Sequence, residues 1–478
     1  MKKNSTMMIY IMIFPYLMVV LIEAIHRGSL WEALVWTFSN PMICLLNYGL
    51  ILGVTQLAFF VKKGVYWVWL FLLTLVMNVV AYISHVKVEL RGDPFLPWDI
   101  FLTNEATNVS KEFDGIFSFS IVWMVLSFLV IYVLYFWRVR RLRTSKKINL
   151  AVSLVAGVCI LLIYNTMETG AAESMGIQNF GNEQEKNYEH NGMIYGFIGN
   201  IHAVRHNKME GYNRNAIVEI AKKQSSGQDD PSFKPNVITL QSETLWDPTL
   251  LQGVEFSEDP IPYIRQLMKE YTSGQLVVPV FGGGTANTEF ESITGMSMQN
   301  VVNGSSPFND QIHKPMDSLA TMLKRYGYNT TAIHTYHNWF YHRNEVYRHL
   351  GFDRFISGEF LSNPTQVGPW VDDSEMVKMM LSELKRTKGS DYIHAVSLEA
   401  HGPYKENRFP EYNINVKGKL SNESKKILRS YVQSLVVADQ AVKGLIEGLK
   451  QLDEPTILVM WGDHLPGLGE DYKVYKEA

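Results

Sequence analysis

Five long apolar stretches that contain no Lys, Arg, Asp or Glu constrain this chain more than any other feature. A helix of about 20 apolar residues crosses a lipid bilayer. Helices buried in a large soluble domain normally keep some polar face, which these stretches lack. They are therefore predicted to be membrane spans, and they run from Met7 to Ile22, Met42 to Val61, Val65 to Ser84, Phe119 to Trp137 and Asn149 to Asn165.

The positive charges between these stretches predict how the chain is oriented. Lys2 and Lys3 precede the first stretch, Lys62 and Lys63 lie between the second and third, and six Lys and Arg residues lie between the fourth and fifth. Since positive residues favour the cytoplasmic side, all three segments are assigned to the cytoplasm. Five spans then place the rest of the chain outside the cell.

The composition averaged over the whole chain does not show that its N-terminal part is apolar and its C-terminal part is polar. A net charge of −3 implies no basic face for nucleic acid, so no nucleic-acid partner is expected. Cys44 and Cys159 both lie inside predicted spans, and an exported domain without disulfides suits a bacterial cell membrane better than a eukaryotic secretory route. We expect a five-helix transmembrane region over 1–166, a polar linker over 167–234 and an extracellular domain over 235–478.

The extracellular domain is predicted to be α/β with a largely parallel central sheet, because short β-rich runs alternate with helical patterns. The predicted strands are Asn236–Gln241, Gln275–Val280, Thr330–His334, Asp391–Leu398 and Pro455–Trp461. The predicted helices are Asn213–Lys223, Ile261–Tyr271, Met316–Tyr326, Glu375–Arg386 and Asn422–Gln451.

Polar side chains follow each predicted strand, at the edge where open α/β sheets bind ligands. Carboxylates and imidazoles that meet at one point can hold a divalent cation; oxygen ligands favour Mg²⁺ or Mn²⁺, and imidazole admits Mn²⁺ or Zn²⁺. Each candidate also has a plainer role, such as a solvated loop carboxylate at Glu243 or a turn at His401. The candidates are Glu243, Thr285, His334, Glu399, His401, Asp463 and His464.

Thr285 follows three glycines and precedes a predicted helix start. Glycines let a ligand approach the backbone, and a helix N-terminus favours an anion. Thr285 is thus a candidate metal-activated nucleophile, while the commoner role of a Thr at this place is an N-cap. The spacing leaves both roles open.

Ten residues from His334 to Arg343 hold three His, one Arg and four aromatic residues. Some of the aromatics could be core residues. A pocket for an anionic, polyol-bearing substrate explains the segment better, since Arg pairs bidentately with phosphate.

The motifs ITLQSE, GGGTANTE, FYHRNEVY, AHGPY and GDH, in this order behind a five-span anchor, resemble the lipoteichoic acid synthase family. That family lies in the sulfatase and alkaline phosphatase superfamily. The resemblance implies Mn²⁺ or Mg²⁺ bound by Glu243, Thr285, Asp463 and His464, with Thr285 as the catalytic nucleophile. It also implies a substrate pocket that includes Arg343, His401 and Tyr341, the last standing where the synthases usually have Trp, and His334 is added to this pocket from its place after a strand.

The implied reaction is a two-step transfer typical of Gram-positive cell-envelope synthesis. Thr285 attacks phosphatidylglycerol, diacylglycerol leaves, and the phosphoglycerol group passes from Thr285 to a glycolipid or teichoic acid acceptor. Thr288 is the nearest alternative nucleophile. Only 14 residues follow His464, so the extracellular domain is expected to be truncated at its C-terminus.

Other functions remain open at this point. One alternative is a phosphodiesterase or phosphoethanolamine-type transferase on the same fold. A sulfuric-ester hydrolase is a weaker one, because the chain lacks the Cys/Ser-x-Pro-x-Arg sequence of formylglycine sulfatases. An alternative of another class is a non-catalytic membrane protein that binds an envelope polymer.

Overall fold

The computed structural model describes residues 2–91, 94–102, 146–168, 170–178, 180, 184–206, 213–223, 233–301, 304–469 and 472–478, with scattered positions between 122 and 137. The chain divides into two compact units. Unit 1 comprises 1–210 with 302–304, and unit 2 comprises 211–301 with 305–478.

The described part of unit 1 contains helices and turns but no strand. Local sequence accounts for where two helices start. The Ser29 hydroxyl caps the helix that begins at Leu30 by accepting from the Glu32 amide at 3.3 Å, and Pro41 is the first residue of the next helix. The helices are α1 (Lys2–His26), α2 (Leu30–Ser39), α3 (Pro41–Leu57), α4 (Lys63–Arg91), α5 (Lys146–Glu168), α6 (Gln184–Asn191) and α7 (Met193–His206).

Two described helices are long and apolar enough to cross a membrane, Lys63–Val88 in α4 and Lys146–Met167 in α5. A third candidate is the pair α2 and α3, bent by 109° at the break between them, and Met12–His26 is a shorter apolar helix. The described residues therefore contain two or three candidate spans, fewer than the five predicted. The predicted span Phe119–Trp137 falls largely outside the described residues.

The first part of the predicted linker packs inside unit 1. Membrane-region side chains accept from the first turn of α7: Glu23 Oε1 from the Met193 amide at 2.8 Å, and Asn47 Oδ1 from the Tyr195 amide at 2.9 Å. These bonds satisfy helix N-terminal amides that otherwise lack partners. Helices α6 and α7 are thus part of the helical unit.

Unit 2 contains an all-parallel five-stranded sheet. From one edge to the other, its strands are Arg354–Ser357, Asn329–His334, Asp391–Val396, Asn236–Ser242 and Thr456–Gly462. Its helices are α8 (Arg214–Lys223), α9 (Pro262–Glu270), α10 (Thr285–Thr294), α11 (Pro307–Asp310), α12 (Leu319–Arg325), α13 (Arg343–His349), α14 (Asp373–Arg386), α15 (Asn422–Lys450) and α16 (Lys473–Glu477). Its strands are β1 (Asn236–Ser242), β2 (Val254–Phe256), β3 (Asn329–His334), β4 (Arg354–Ser357), β5 (Gln366–Val367), β6 (Trp370–Val371), β7 (Asp391–Val396), β8 (Val416–Gly418) and β9 (Thr456–Gly462).

Successive strand residues face opposite sides of this sheet, and each side is covered by helices. Ile238 and Ile393 lie in a cluster with residues of α14 and α15. Tyr392 lies in a second cluster with Phe290 of α10 and Val346 of α13. The sheet is therefore the middle layer, and the α/β fold with a parallel central sheet is confirmed.

One strand prediction is wrong. Gln275–Val280 forms no strand, and its Val277 side chain is 91% exposed. The β-rich composition of the run is outweighed because no neighbouring strand pairs with it and Pro279 has no amide hydrogen to donate. Thr285 consequently follows a loop instead of a strand of the sheet.

Candidate metal centre and nucleophile

Three ligand-type side chains meet at the carboxyl ends of the neighbouring strands β1 and β9. Glu243 follows β1, and Asp463 and His464 follow β9. One ligand atom of each lies within 4.8 Å of the others, with His464 Nε2 at 3.3 Å from Asp463 Oδ2 and 3.7 Å from Glu243 Oε1. The registers Gln241 with Trp461 and Ser242 with Gly462 place the two strand ends level, which brings the three residues together.

The chemistry of this cluster fits a divalent cation. All three side chains are at most 5% exposed. Glu243 Oε1, Asp463 Oδ2 and His464 Nε2 are buried and have no hydrogen-bond partner among the described residues. Buried polar atoms without partners are costly, and a cation bound by two carboxylates and an imidazole would satisfy all three.

Backbone contacts orient two of these ligands. Asp463 Oδ1 accepts from the amides of Thr244 at 2.7 Å and His464 at 2.8 Å, which leaves Oδ2 facing the cluster. His464 Nδ1 lies 2.9 Å from the Leu465 carbonyl oxygen. Because a carbonyl only accepts, Nδ1 carries the proton and Nε2 presents its lone pair, as a metal-binding imidazole requires.

Burial and nearby negative charge favour the protonated form of Glu243. Burial raises the pKa of Glu243 well above its ordinary value, and Asp463 and Asp373 raise it further. A carboxylate in such a place is ionised only when positive charge compensates it. A cation at this site would therefore compete with a proton on Glu243.

Thr285 lies beside this cluster as the first residue of α10. The N-cap of this helix is Gly284, with φ of +88°. Thr285 is therefore not the N-cap. Thr285 is 8% exposed, and its hydroxyl donates to Glu243 Oε2 at 3.4 Å. Gln241 holds the Thr285 backbone by donating from Nε2 to the carbonyl at 3.0 Å.

Thr288, the alternative nucleophile, is otherwise engaged. Its hydroxyl donates to the Asp463 backbone carbonyl at 2.7 Å, and the residue is 3% exposed. This bond joins α10 to the end of β9, so Thr288 fixes the helix that carries Thr285 next to the strand that carries Asp463.

Arg343 is fully buried and paired with Glu289, the last residue of the motif GGGTANTE, for which no role was predicted. Arg343 Nη2 lies 2.9 Å from Glu289 Oε2, and Tyr347 donates to the other Glu289 oxygen. Burial raises the pKa of Glu289, but Arg343 and His394 outweigh it and lower the pKa to about 2. Arg343 Nε and Nη1 have no hydrogen-bond partner among the described residues.

The remaining predicted substrate residues surround the same edge of the sheet. Tyr341 lies under the Arg343 guanidinium, 5.2 Å from ring centroid to Cζ. His334 ends β3 and is buried; burial, and then the positive charge of Arg343, lower its pKa to about 3, so this imidazole is neutral. His401 follows β7, is exposed, and bonds through Nδ1 to the Gly402 carbonyl oxygen at 2.8 Å.

Glu399 takes a different role from the one its position predicted. It is fully buried and pairs with Arg408, whose Nη2 lies 3.2 Å from Oε1. Arg408 also donates from Nη1 to the His401 carbonyl at 2.8 Å. Glu399 therefore holds the loop that carries His401, and it is not among the described residues that cluster as possible metal ligands.

One sequence signal could have identified Glu289. It lies four residues after Thr285 on the same helix, and residues at this spacing share a helix face. Its partners Arg343 and His394 come from a different helix and strand, and their approach has no local signal in the sequence.

The fold and this site define a class of protein: an α/β domain of the sulfatase type. Residues 235–478 match the sulfatase family model. The chain therefore belongs to the sulfatase family, within the sulfatase and alkaline phosphatase superfamily, whose members are metal-dependent, and it is related to the lipoteichoic acid synthases.

Two known proteins similar to this chain come from different bacteria. A putative cyclic beta-1,2-glucan modification protein of Rhizobium meliloti is 30% identical over 97% of this chain and 73% of its own length. The lipoteichoic acid synthase of Staphylococcus saprophyticus is 21% identical over 90% of this chain and 68% of its own length.

A solved membrane protein is also similar in fold to this chain. The integral membrane lipooligosaccharide phosphoethanolamine transferase A of Neisseria meningitidis has a TM-score of 0.56 and 14% identity, covering 97% of this chain and 83% of that one. With the sulfatase family match, the apolar helices of unit 1 identify the chain as a membrane-associated member of the sulfatase superfamily.

Proposed function

We propose that this protein is a metal-dependent phosphoglycerol transferase that moves glycerol phosphate from phosphatidylglycerol to a hydroxyl of an envelope glycan. The observation that carries the proposal is the Thr285 hydroxyl, which donates to Glu243 beside three buried ligand atoms without partners. The relationship to lipoteichoic acid synthases supports the donor. The Rhizobium relative, a putative cyclic beta-1,2-glucan modification protein, favours a β-glucan as acceptor over the glycolipid or teichoic acid first expected.

In the first step, Thr285 Oγ1 forms a bond to the donor phosphorus, and the bond from phosphorus to the diacylglycerol oxygen breaks. Glu243 Oε2 holds the Thr285 proton through their hydrogen bond. A divalent cation such as Mn²⁺ or Mg²⁺, held by Glu243, Asp463, His464 and Thr285, would stabilise negative charge on the phosphate and favour ionisation of the hydroxyl. His401 gives a proton to the leaving diacylglycerol oxygen in this step.

In the second step, an acceptor hydroxyl attacks the phosphorus of the phosphoglycerol-threonine intermediate. A new phosphodiester forms and the bond to Thr285 Oγ1 breaks. The acceptor hydroxyl gives its proton to His401, and the threonine oxygen regains its proton from Glu243. Arg343, Tyr341, His334 and His401 bind the phosphoglycerol group during both steps. The Arg343 charge also lowers the pKa of Glu243, opposing the effect of its acidic neighbours.

The membrane region completes the proposal. Five spans with their basic connections in the cytoplasm would place unit 2 on the extracellular side, where the anchor keeps the site near lipid head groups. Membrane attachment confines the enzyme and its lipid donor to one surface and so raises their effective concentration.

The test is transfer from phosphatidylglycerol labelled in its head group, using the full chain in detergent with Mn²⁺ and a β-1,2-linked glucan. We expect diacylglycerol and labelled glucan. Release of labelled glycerol phosphate alone would identify a phosphodiesterase, and transfer only from phosphatidylethanolamine would identify a phosphoethanolamine transferase. Either result would contradict the proposal.

A further inference from the structure

A group of aromatic rings beside the candidate site has no role in the proposed phosphate chemistry. We call it the aromatic platform: Tyr336, His337, Trp339, Phe340 and Trp370. Tyr336 is at its centre, with ring centroids 5.2 Å from Phe340, 5.8 Å from Trp370 and 4.7 Å from His337. The His337 and Trp339 rings stack at 5.1 Å with 14° between their planes. All five side chains are only half-buried, so ring surface reaches solvent.

The platform is continuous with the residues assigned to the phosphoglycerol group. The Trp370 ring lies 5.2 Å from the His401 ring, and Trp370 Nε1 donates to the His401 carbonyl at 2.9 Å. On the other side, the Phe340 ring lies 4.7 Å from that of Tyr341. A molecule lying on the platform would thus reach the site at two points.

Polar groups are set among these rings. Glu359 accepts from the Asn338 amide at 3.1 Å and lies 3.2 Å from His337 Nδ1, yet its side chain remains 38% exposed. The segment is also held in an unusual backbone shape, since Tyr341 and His342 have φ of +54° and +51°. Such strain persists where the surrounding structure enforces it and is common at ligand sites.

We propose that the aromatic platform binds a sugar ring of the glycan acceptor. This inference rests on the proposed transfer to a glycan. The C–H face of a hexose is apolar and packs on aromatic faces, which supply large contact area at little cost in conformational entropy. The half-exposed Glu359 carboxylate accepts hydrogen bonds from sugar hydroxyls, which an all-apolar surface could not do.

A lipid surface is the competing occupant, and the side chains disfavour it. Segments that enter the membrane interface present an uninterrupted apolar face. Here the ionisable His337 contacts the Tyr336 and Trp339 rings, and the Glu359 carboxylate lies 3.2 Å from His337. Tyr336 packs edge-to-face against Phe340 and Trp370. A mixed aromatic and polar surface matches a carbohydrate.

The test is binding of a β-1,2-linked glucan to the full chain in detergent, measured by calorimetry without donor lipid. Trp339→Ala should weaken binding about tenfold, equivalent to roughly 1.4 kcal/mol, and Trp339→Tyr should restore most of it. Phe233→Ala is the matched control and should leave the glucan affinity unchanged. Phe233 is an aromatic residue, 65% exposed, and it lies just before the start of β1, at the opposite ends of the strands from the candidate site.

Unchanged glucan affinity in Trp339→Ala, or no glucan binding by the unsubstituted protein, would overturn the proposal. So would loss of binding to phosphatidylglycerol vesicles in Trp339→Ala with glucan binding intact, because the platform would then serve the lipid. If Trp339→Ala does not unfold cooperatively, saturation-transfer NMR on the unsubstituted protein decides, since transfer from aromatic protons to the glucan is expected. Failure of the proposed function would appear separately, as absent labelled product despite normal glucan binding.

Discussion

The Thr285 hydroxyl donates to Glu243 Oε2 at 3.4 Å, although the two residues are 42 positions apart in the chain. Glu243 leaves the end of β1, and Thr285 starts α10 after a loop whose Gly282 amide donates to the Leu465 carbonyl at 2.9 Å. That backbone bond holds the loop against the segment after β9. The candidate nucleophile is thus positioned by both strands that carry the candidate ligands.

Removing the Thr285 hydroxyl should abolish transfer. We expect Thr285→Ala to lower the rate of diacylglycerol release by at least about 10³-fold, because no covalent intermediate can form. Thr285→Ser keeps a hydroxyl and should retain measurable activity. The control is Thr294→Ala on the same helix, whose hydroxyl donates to the Phe290 carbonyl and accepts from the Met296 amide, both away from the candidate ligands. Full activity in Thr285→Ala would assign the nucleophile elsewhere.

Removing one cluster ligand should weaken metal binding. His464→Ala deletes a candidate ligand atom, so we expect Mn²⁺ affinity to fall by more than about 100-fold. This is more than the loss typical when a residue that contacts only a metal ligand is removed. The comparison is His313→Ala, an exposed histidine of unit 2. Metal content after equilibrium dialysis at fixed free Mn²⁺ measures the change. Equal metal content in the two variants would contradict the site.

Breaking the Arg343–Glu289 pair should destabilise unit 2. Arg343→Met leaves Glu289 buried without its charge partner, and we expect a loss of roughly 3–5 kcal/mol in the free energy of unfolding. The double variant Arg343→Met with Glu289→Gln should lose less, because no charge is then buried. Denaturant unfolding of the full chain, followed by tryptophan fluorescence, is measured for the unsubstituted protein, for Arg343→Met and Glu289→Gln alone, and for the double variant. Additive losses would show that the two side chains do not interact.

The same pair predicts acid sensitivity. The pKa of Glu289 falls from an ordinary 4.5 to about 2 in the folded chain, so folding favours its ionised form. This contribution, roughly 3 kcal/mol, is complete above about pH 4.5 and is lost as the pH falls towards 2. Glu289→Gln should therefore show a flatter decline of stability across this range. A parallel decline in both proteins would assign the acid sensitivity to other groups.

The structure agrees with the sequence where a signal was local. The strands β1, β3, β7 and β9 begin and end close to their predicted bounds, because buried parallel strands read as short apolar runs between turn residues. The long helix α15 was likewise predicted almost to the residue. The exception, Gln275–Val280, has strand composition but no neighbour with which to pair.

The sequence by itself determined that this chain carries apolar helices and a parallel α/β unit, and that Glu243, Asp463 and His464 lie at the carboxyl edge of its sheet. Periodicity and chain order are local properties, and parallel strands necessarily share that edge. Only the tertiary structure decided the strand order, the burial of Arg343 against Glu289 and the docking of α7 on Glu23 and Asn47. Each of these depends on contacts between residues far apart in the chain, whose free energy is set by burial and hydrogen bonding in three dimensions.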